Sequence, residues 1–344
     1  MIRDDGRDGG GSGRLRLGRL LARLGALCLA ASVACGCSPN PAGPGDDTPA
    51  GPEQDRAWGI YCLDLATDEV ELIFTSDNSL HRIDLNSDGT SLVFQEDFGP
   101  DTFTDSEICV VGTEGTGYRR LTTNGWLDAY PCWSPDDSEI LFLSWPDYPA
   151  NTMDIYLMDA GGLNPSLLYD SGFHDGDCAW EDTSIVFTRE SRIWIMNQDG
   201  SGARQVTDYA LAGQQGAADL PFGDYDPRLR PGDHLLCFDR MVDDRVPSGN
   251  YDFFIITPEG TAETRITSTE YSQFIAEWSR TGNRLVFTVA AIEGEGRFDI
   301  YAMNANGTGY ASVTPAGWPV EFLCTHPIFS EDDSKVYFVG QWWE

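Results

Sequence analysis

From about residue 58 onward the chain is written in short runs where apolar and polar positions alternate, each broken by Gly, Pro, Asp or Asn. A period of two is the signature of half-buried strands, and no long apolar run with helical spacing stands outside the N-terminus. The runs repeat. The stretch "PCWSPDDSEILF" (Pro131 to Phe142) returns as "PIFSEDDSKVYF" (Pro327 to Phe338). With Phe142 as anchor, the same pattern recurs at Phe94, Phe187, Phe238, Phe287 and Phe338, with successive spacings of 48, 45, 51, 49 and 51 residues. An apolar or aromatic residue precedes each anchor (Leu85, Trp133, Trp180, Leu229, Trp278, Phe329), followed by a polar turn rich in Asp, Gly and Asn. Such residues tolerate the positive φ of a tight hairpin. Behind each anchor comes an alternating run such as "MDIYLMDAGG", a Gly-centred turn, and a segment ending in or near threonine.

One unit is therefore four short antiparallel strands: an inner strand, an acidic turn, a second strand, a third strand, a Gly turn and a fourth strand. A lone four-stranded unit cannot cover both of its faces, so the units must stack, and radial stacking of such sheets makes a propeller. The last unit, from about Trp318, supplies only the first two strands, while "WGIYCLDLATDEVELIFTSD" (Trp58 to Asp77) supplies only a third and a fourth. The two half-units complete one blade and remove two exposed edges. The fold expected over 57–344 is all-β: a six-bladed β-propeller of four-stranded antiparallel blades, the last blade closed by the N-terminal strands. The unit ending at Phe187 is two residues short in its first turn, which predicts a tighter hairpin there.

The repeat "PxWSPDDSEILF…DIYLMDAGG" resembles the WD-like propeller repeat of the TolB type, and similar blades occur in prolyl oligopeptidase relatives. The likeness covers roughly 57–344. It implies the propeller fold and says little about function. In two respects the chain departs from these families. TolB carries a separate α/β domain before its propeller, where here only a spacer is expected. Prolyl oligopeptidase relatives carry a hydrolase domain, whereas no G-x-S-x-G nucleophile elbow follows the N-terminal segment.

Residues 1–37 read as a lipoprotein-type signal peptide. Arg14, Arg16, Arg19 and Arg23 form a basic region, and Leu24 to Ala34 is an apolar run of 11 residues, too short to span a bilayer. It leads to Cys35 and Cys37, each behind a small residue, as in the lipobox of bacterial lipoproteins; Cys37 is the favoured lipidation site and Cys35 the other. Residues 38–56 contain five prolines and no large apolar side chain, which predicts a disordered spacer. Export and lipid anchoring to a bacterial membrane follow as expectations, on the periplasmic side or at the cell surface, with the lipid as the only membrane contact.

The chain of 344 residues carries 55 Asp and Glu against 22 Lys and Arg, a formal charge of −33, and Lys335 is its one lysine. Such a surface repels nucleic acid. Candidate chemistry gathers at the starts of the inner strands, which line a propeller's channel: Asp84, Asp128, Asp175, Asp177, Asp224, Asp226 and Glu277, with His81, His174 and His326. Carboxylates brought to one axis repel each other unless water, arginine or a cation intervenes. Two readings stand. Either the acids bond backbone N–H groups between blades, or they form a cation or ligand site, for which Ca2+ suits the oxygen donors. Convergence of Asp128, Asp177 and Asp226 would mark the second. No cofactor beyond that cation is expected and no catalytic residue is assigned.

Trp133, Trp180 and Trp278 recur at one place in the unit and read as inter-blade packing, whereas Trp126, Trp318, Trp342 and Trp343 are unrepeated and read as junction or closure contacts. Beyond the signal lie Cys62, Cys109, Cys132, Cys178, Cys237 and Cys324. An exported chain permits disulfides, and Cys132 with Cys178, just before aligned tryptophans of neighbouring units, is the pair expected to bridge. The function expected is a monomeric envelope lipoprotein whose propeller binds envelope proteins or a peptide. The alternative is a propeller enzyme, or a glycan- or cation-binding protein, using the acidic, His-containing channel mouth.

Overall fold

The computed structural model describes residues 58–99, 105–146, 152–245, 248–291, 298–319 and 321–342. The signal segment, the spacer, Cys35, Cys37 and Trp343 lie outside the described residues. Those described form six four-stranded antiparallel sheets and no helix. The inner strands are Ser79–Leu85, Leu127–Trp133, Asp175–Glu181, Asp224–Leu229, Tyr271–Trp278 and Phe322–Phe329, and they define blades 1 to 6 in that order. Blade 6 takes its first two strands, Phe322–Phe329 and Lys335–Trp342, from the C-terminal end, and its other two, Trp58–Asp64 and Val70–Ser76, from the N-terminal side. Closure runs from Gly59 opposite Gly340 to Asp64 opposite Lys335, in the manner the half-units require.

The six anchors Phe94, Phe142, Phe187, Phe238, Phe287 and Phe338 are each 0–1% exposed. They stand in second strands packed between neighbouring blades, where a polar side chain without a partner would carry a desolvation cost. Trp318, 5% exposed, packs edge-on against Phe322 at 5.3 Å, and Trp342 meets the same ring at 5.3 Å. Both are closure contacts, as expected.

Each repeated motif has a distinct mechanical role. In "SPDD", Asp136 Oδ1 accepts from Ser134 Oγ (2.8 Å), Ser138 N (3.1 Å) and Ser138 Oγ (2.6 Å), while Asp137 takes φ 60°. The carboxylate of Asp137 also reaches blade 1, accepting from Ser87 N at 2.8 Å and Ser87 Oγ at 2.7 Å. Asp333 repeats this, accepting from Arg280 N and Thr281 Oγ1 of blade 5. The acidic turns therefore staple neighbouring blades as well as closing hairpins. The shorter turn of blade 3 pairs Glu181 with Ser184, leaving a two-residue loop with Asp182 at φ 51°.

The threonine ending is explained as well: Thr122, Thr207, Thr267 and Thr314 accept, through Oγ1, the N–H groups of Ile108, Ile193, Phe253 and Ile300 at 2.8–3.0 Å. In the Gly turns, Gly307 adopts φ 81°, and a Cβ there would lie 2.5 Å from the carbonyl oxygen of Ile266 in the preceding blade. Glycine is required on both counts.

Candidate functional site at the propeller axis

Every inner strand contains a bulge at the same place, and every bulge holds one non-glycine residue at positive φ. These residues are Arg82 (47°), Tyr130 (53°), Asp177 (50°), Asp226 (49°), Ile275 (56°) and His326 (50°). A left-handed conformation costs on the order of 1–3 kcal/mol at a non-glycine residue, and a bulge bends its strand and re-aims a side chain. The fold accepts this six times, and the outcome is a tier of side chains meeting across the ring.

Arg82 of blade 1 donates through Nη2 to Asp177 Oδ1 of blade 3 (3.2 Å) and to Asp226 Oδ1 of blade 4. Its guanidinium lies 4.5 Å from the ring centroid of Tyr130 of blade 2. Partners from three other blades can be reached by one arginine only near the axis. Burial, then the charge of Asp226, raises the Asp177 carboxyl to about 6 against the pull of Arg82. Burial, then the charge of Asp226, also pushes the neighbouring Asp239 carboxyl well above its usual range, and its Oδ2 accepts Ile275 N at 3.1 Å. His326 is 3% exposed, and burial together with Arg82 holds its imidazole well below its ordinary value.

The remaining predicted site residues separate into further groups. Asp128, Asp175 and Asp224 occupy equivalent positions two residues before the bulge and are satisfied mainly inside or beside their own blades. Asp128 accepts from Ser144 Oγ (2.5 Å) and Asn124 Nδ2 (2.8 Å), Asp175 from Arg189 Nε (2.7 Å), and Asp224 from Arg240 Nε (2.5 Å) and Nη2 (3.0 Å). Burial lifts Asp128 and Asp175 to about 6. The convergence of Asp128 with Asp177 and Asp226 is thus not what the structure shows, because Asp128 faces Ser144 and Asn124 while the other two face Arg82. Among the described residues no group of three or more His, Cys, Asp or Glu is arranged to hold a metal ion.

His81 contacts Asp97 Oδ2 through Nε2 at 3.1 Å. His174 Nδ1 accepts Met153 N at 3.0 Å, and burial lowers its proton affinity. Asp84 bonds the next blade's backbone, Trp133 N, at 2.8 Å, the inter-blade role foreseen for the whole set; burial still raises it to about 6.

Beyond the bulges, toward the acidic turns, the axis opens into a cavity of about 210 Å³. Its walls include Asp84, Glu181 and Glu277, the arginines Arg82, Arg228 and Arg280, the tryptophans Trp133 and Trp180, and Cys132 with Cys178. Arg228 Nε donates to Glu277 Oε2 at 2.7 Å, and Arg280 Nη2 donates to the carbonyls of Leu85 (2.8 Å) and Asn86 (3.2 Å). The expected acidic mouth is therefore a mixed one at this end, with three arginines set among three carboxylates. Arg82, Tyr130, Arg228, Arg280 and Asp239 escaped the sequence reading. Five of the six bulge residues could have been found by counting 12 positions back from each Phe anchor, and the sixth by correcting for the short turn of blade 3.

No protein-family model matches the chain. The uncharacterized protein Atu1656 of Agrobacterium fabrum is 26% identical over 193 residues, 48% of this chain and 61% of that protein, so the chain spans about three fifths of this relative's length. Among solved structures, a putative TolB from Agrobacterium tumefaciens superposes with a TM-score of 0.63 at 13% identity, covering 84% of this chain and 99% of that one. TolB from Acinetobacter baumannii gives 0.55 at 14% identity, covering 86% of this chain and 66% of that one. What this chain shares with these proteins is the six-bladed TolB-type propeller fold.

Proposed function

We propose that the chain is an exported, lipid-anchored protein-interaction module whose propeller grips part of a partner protein in the axial cavity. The observation that carries this is the cavity's size and lining. Sites that enclose a small molecule commonly measure roughly 300–1,000 Å³, whereas this cavity of about 210 Å³ is backed by the Arg82–Asp177–Asp226 cluster. It accommodates one or two side chains or a chain end, with the rest of the partner on the rim. Tryptophan and arginine among paired charges is also the composition of a protein-binding hot spot. The likeness to TolB supports the same reading. Lipid on Cys37, or on Cys35, would hold the propeller off a membrane by the spacer of residues 38–56.

The test uses the full-length protein recovered from envelope membranes after chemical crosslinking. Wild type should capture a discrete protein that Glu277→Lys, verified as folded by circular dichroism, captures far less. Equal capture by the variant would remove the cavity from the interface. Incorporation of labelled fatty acid, abolished by Cys37→Ser or by Cys35→Ser, reports the anchor; labelling unchanged in both variants would refute it.

A further inference from the structure

Cys132 and Cys178 come from adjacent blades, and both line the axial cavity at 8% and 4% exposure. Cys178 Sγ donates to the carbonyl of Tyr130, two residues before Cys132 on the neighbouring inner strand, at 3.3 Å. That contact places the sulfur of Cys178 directly over the strand that carries Cys132. The neighbouring Cys178 sulfur, and then burial, push the Cys132 thiol well above its ordinary range. The bridge expected for this pair is thus not present as such: the side chains meet, and both are free thiols. Cys62, Cys109, Cys237 and Cys324 are also buried, and none of them lines this cavity.

We propose that Cys132 and Cys178 form a redox-active dithiol that closes into an inter-blade disulfide by exchange with a small disulfide reagent entering the cavity. In the first step one sulfur, as thiolate, attacks the reagent and releases one thiol, leaving a mixed disulfide. The second protein sulfur then attacks the first and releases the other half of the reagent. The protein loses two electrons and two protons, and the reagent leaves as two thiols. The neighbouring Cys178 sulfur, and then burial, raise the Cys132 thiol well above its ordinary range, and the thiolate is the nucleophile. Closure is therefore slow at neutral pH and accelerates as pH rises. The bond, once formed, ties blade 2 to blade 3 beside Trp133 and Trp180.

The test treats the folded full-length protein with cystamine, a disulfide no larger than two side chains, at pH 7 and pH 9, blocks remaining thiols under denaturing conditions, and maps the peptides by mass spectrometry. The expected product is a crosslinked peptide joining Cys132 to Cys178, lighter by two hydrogens than its parts and formed faster at pH 9. Oxidised protein should melt several degrees above the reduced form, since the crosslink restricts the unfolded chain. Cys178→Ala should lose this oxidant-dependent shift. Recovery of Cys132 and Cys178 as separately alkylated residues or as single mixed disulfides with cysteamine, or crosslinked to other cysteines, would overturn the proposal. So would an undiminished shift in Cys178→Ala.

Discussion

The acidic hairpins on the rim and the bulges on the axis are both repeated around the ring, but they repeat different things. At the rim the residues themselves recur: Ser134, Asp136 and Asp137 do the work that Ser330, Asp332 and Asp333 do in blade 6. At the axis only the backbone recurs. Six positions share one left-handed conformation, yet they carry Arg82, Tyr130, Asp177, Asp226, Ile275 and His326. A side chain that fills the same role in every blade is free to be copied. A side chain at the axis faces side chains of other blades, as Arg82 faces Tyr130, Asp177 and Asp226, and six copies of one charge could not be buried together. Repetition of residues therefore marks scaffold, and repetition of conformation with varied residues marks the place where the ring becomes specific.

The sharpest way to break this comparison is Arg82→Met. It leaves Asp177 and Asp226 facing each other without their cation, and removing one member of a buried ion pair costs about 3–5 kcal/mol. Urea unfolding should show a loss of that order, and Arg82→Met combined with Asp226→Asn should recover a large part of it. Additive losses in the double variant would mean that the axial tier is not a coupled unit.

A second expectation concerns pH. Burial raises Asp84, Asp128, Asp175 and Asp177 to about 6. The same groups titrate near 4 in an unfolded chain, so between about 4 and 6 the folded protein holds protons that the unfolded chain has released. Stability from these groups is present at the acid end of that window and is lost as pH rises through 6. His174 and His326 work in the opposite sense, because burial keeps them neutral while an unfolded imidazole takes up a proton below about 6.5. The carboxyls are more numerous, so the melting temperature should rise by several degrees from pH 7 to pH 5. A fall over that range would show that the axial carboxyls stay ionised in the folded protein.

Smaller effects are expected at the rim. Asp137→Ala removes two hydrogen bonds to Ser87 and should cost on the order of 1 kcal/mol by urea unfolding; a loss above about 3 kcal/mol would make the staple as important as the axial cluster. Smallest is Trp126→Ala. Trp126 is 38% exposed, and its loss should change stability by no more than about 0.5 kcal/mol. A larger loss would place Trp126 within the scaffold.

Much of the fold was legible because its causes are local and repeated. The Phe anchors, the Gly turns and the threonine endings each answer a need that arises in one blade or against its neighbour, so the spacing alone exposes six units and their closure. The candidate site was legible in part. The acids and histidines near the inner-strand starts were identified, yet they read as one ring when they occupy several levels. Asp128 and Asp226 are alike as letters, but one lies two residues before a bulge and bonds Ser144, while the other sits on the bulge and faces Arg82. No local signal announces a bulge, since Arg82, Tyr130 and Ile275 have nothing in common that favours positive φ.

What the amino-acid sequence determined by itself was the period, the strand count per unit, the shared blade and the strongly acidic balance. Each of these depends on which residue types can be buried or can turn, and those are properties of short segments. What only the tertiary structure decided was which charges meet: Arg82 with Asp177 and Asp226 across the ring, Arg228 with Glu277, and Cys178 against the strand of Cys132. Those partners stand from about 46 to 144 residues apart. They are neighbours because six blades converge on one axis, and that convergence is a property of the closed ring rather than of any segment in it.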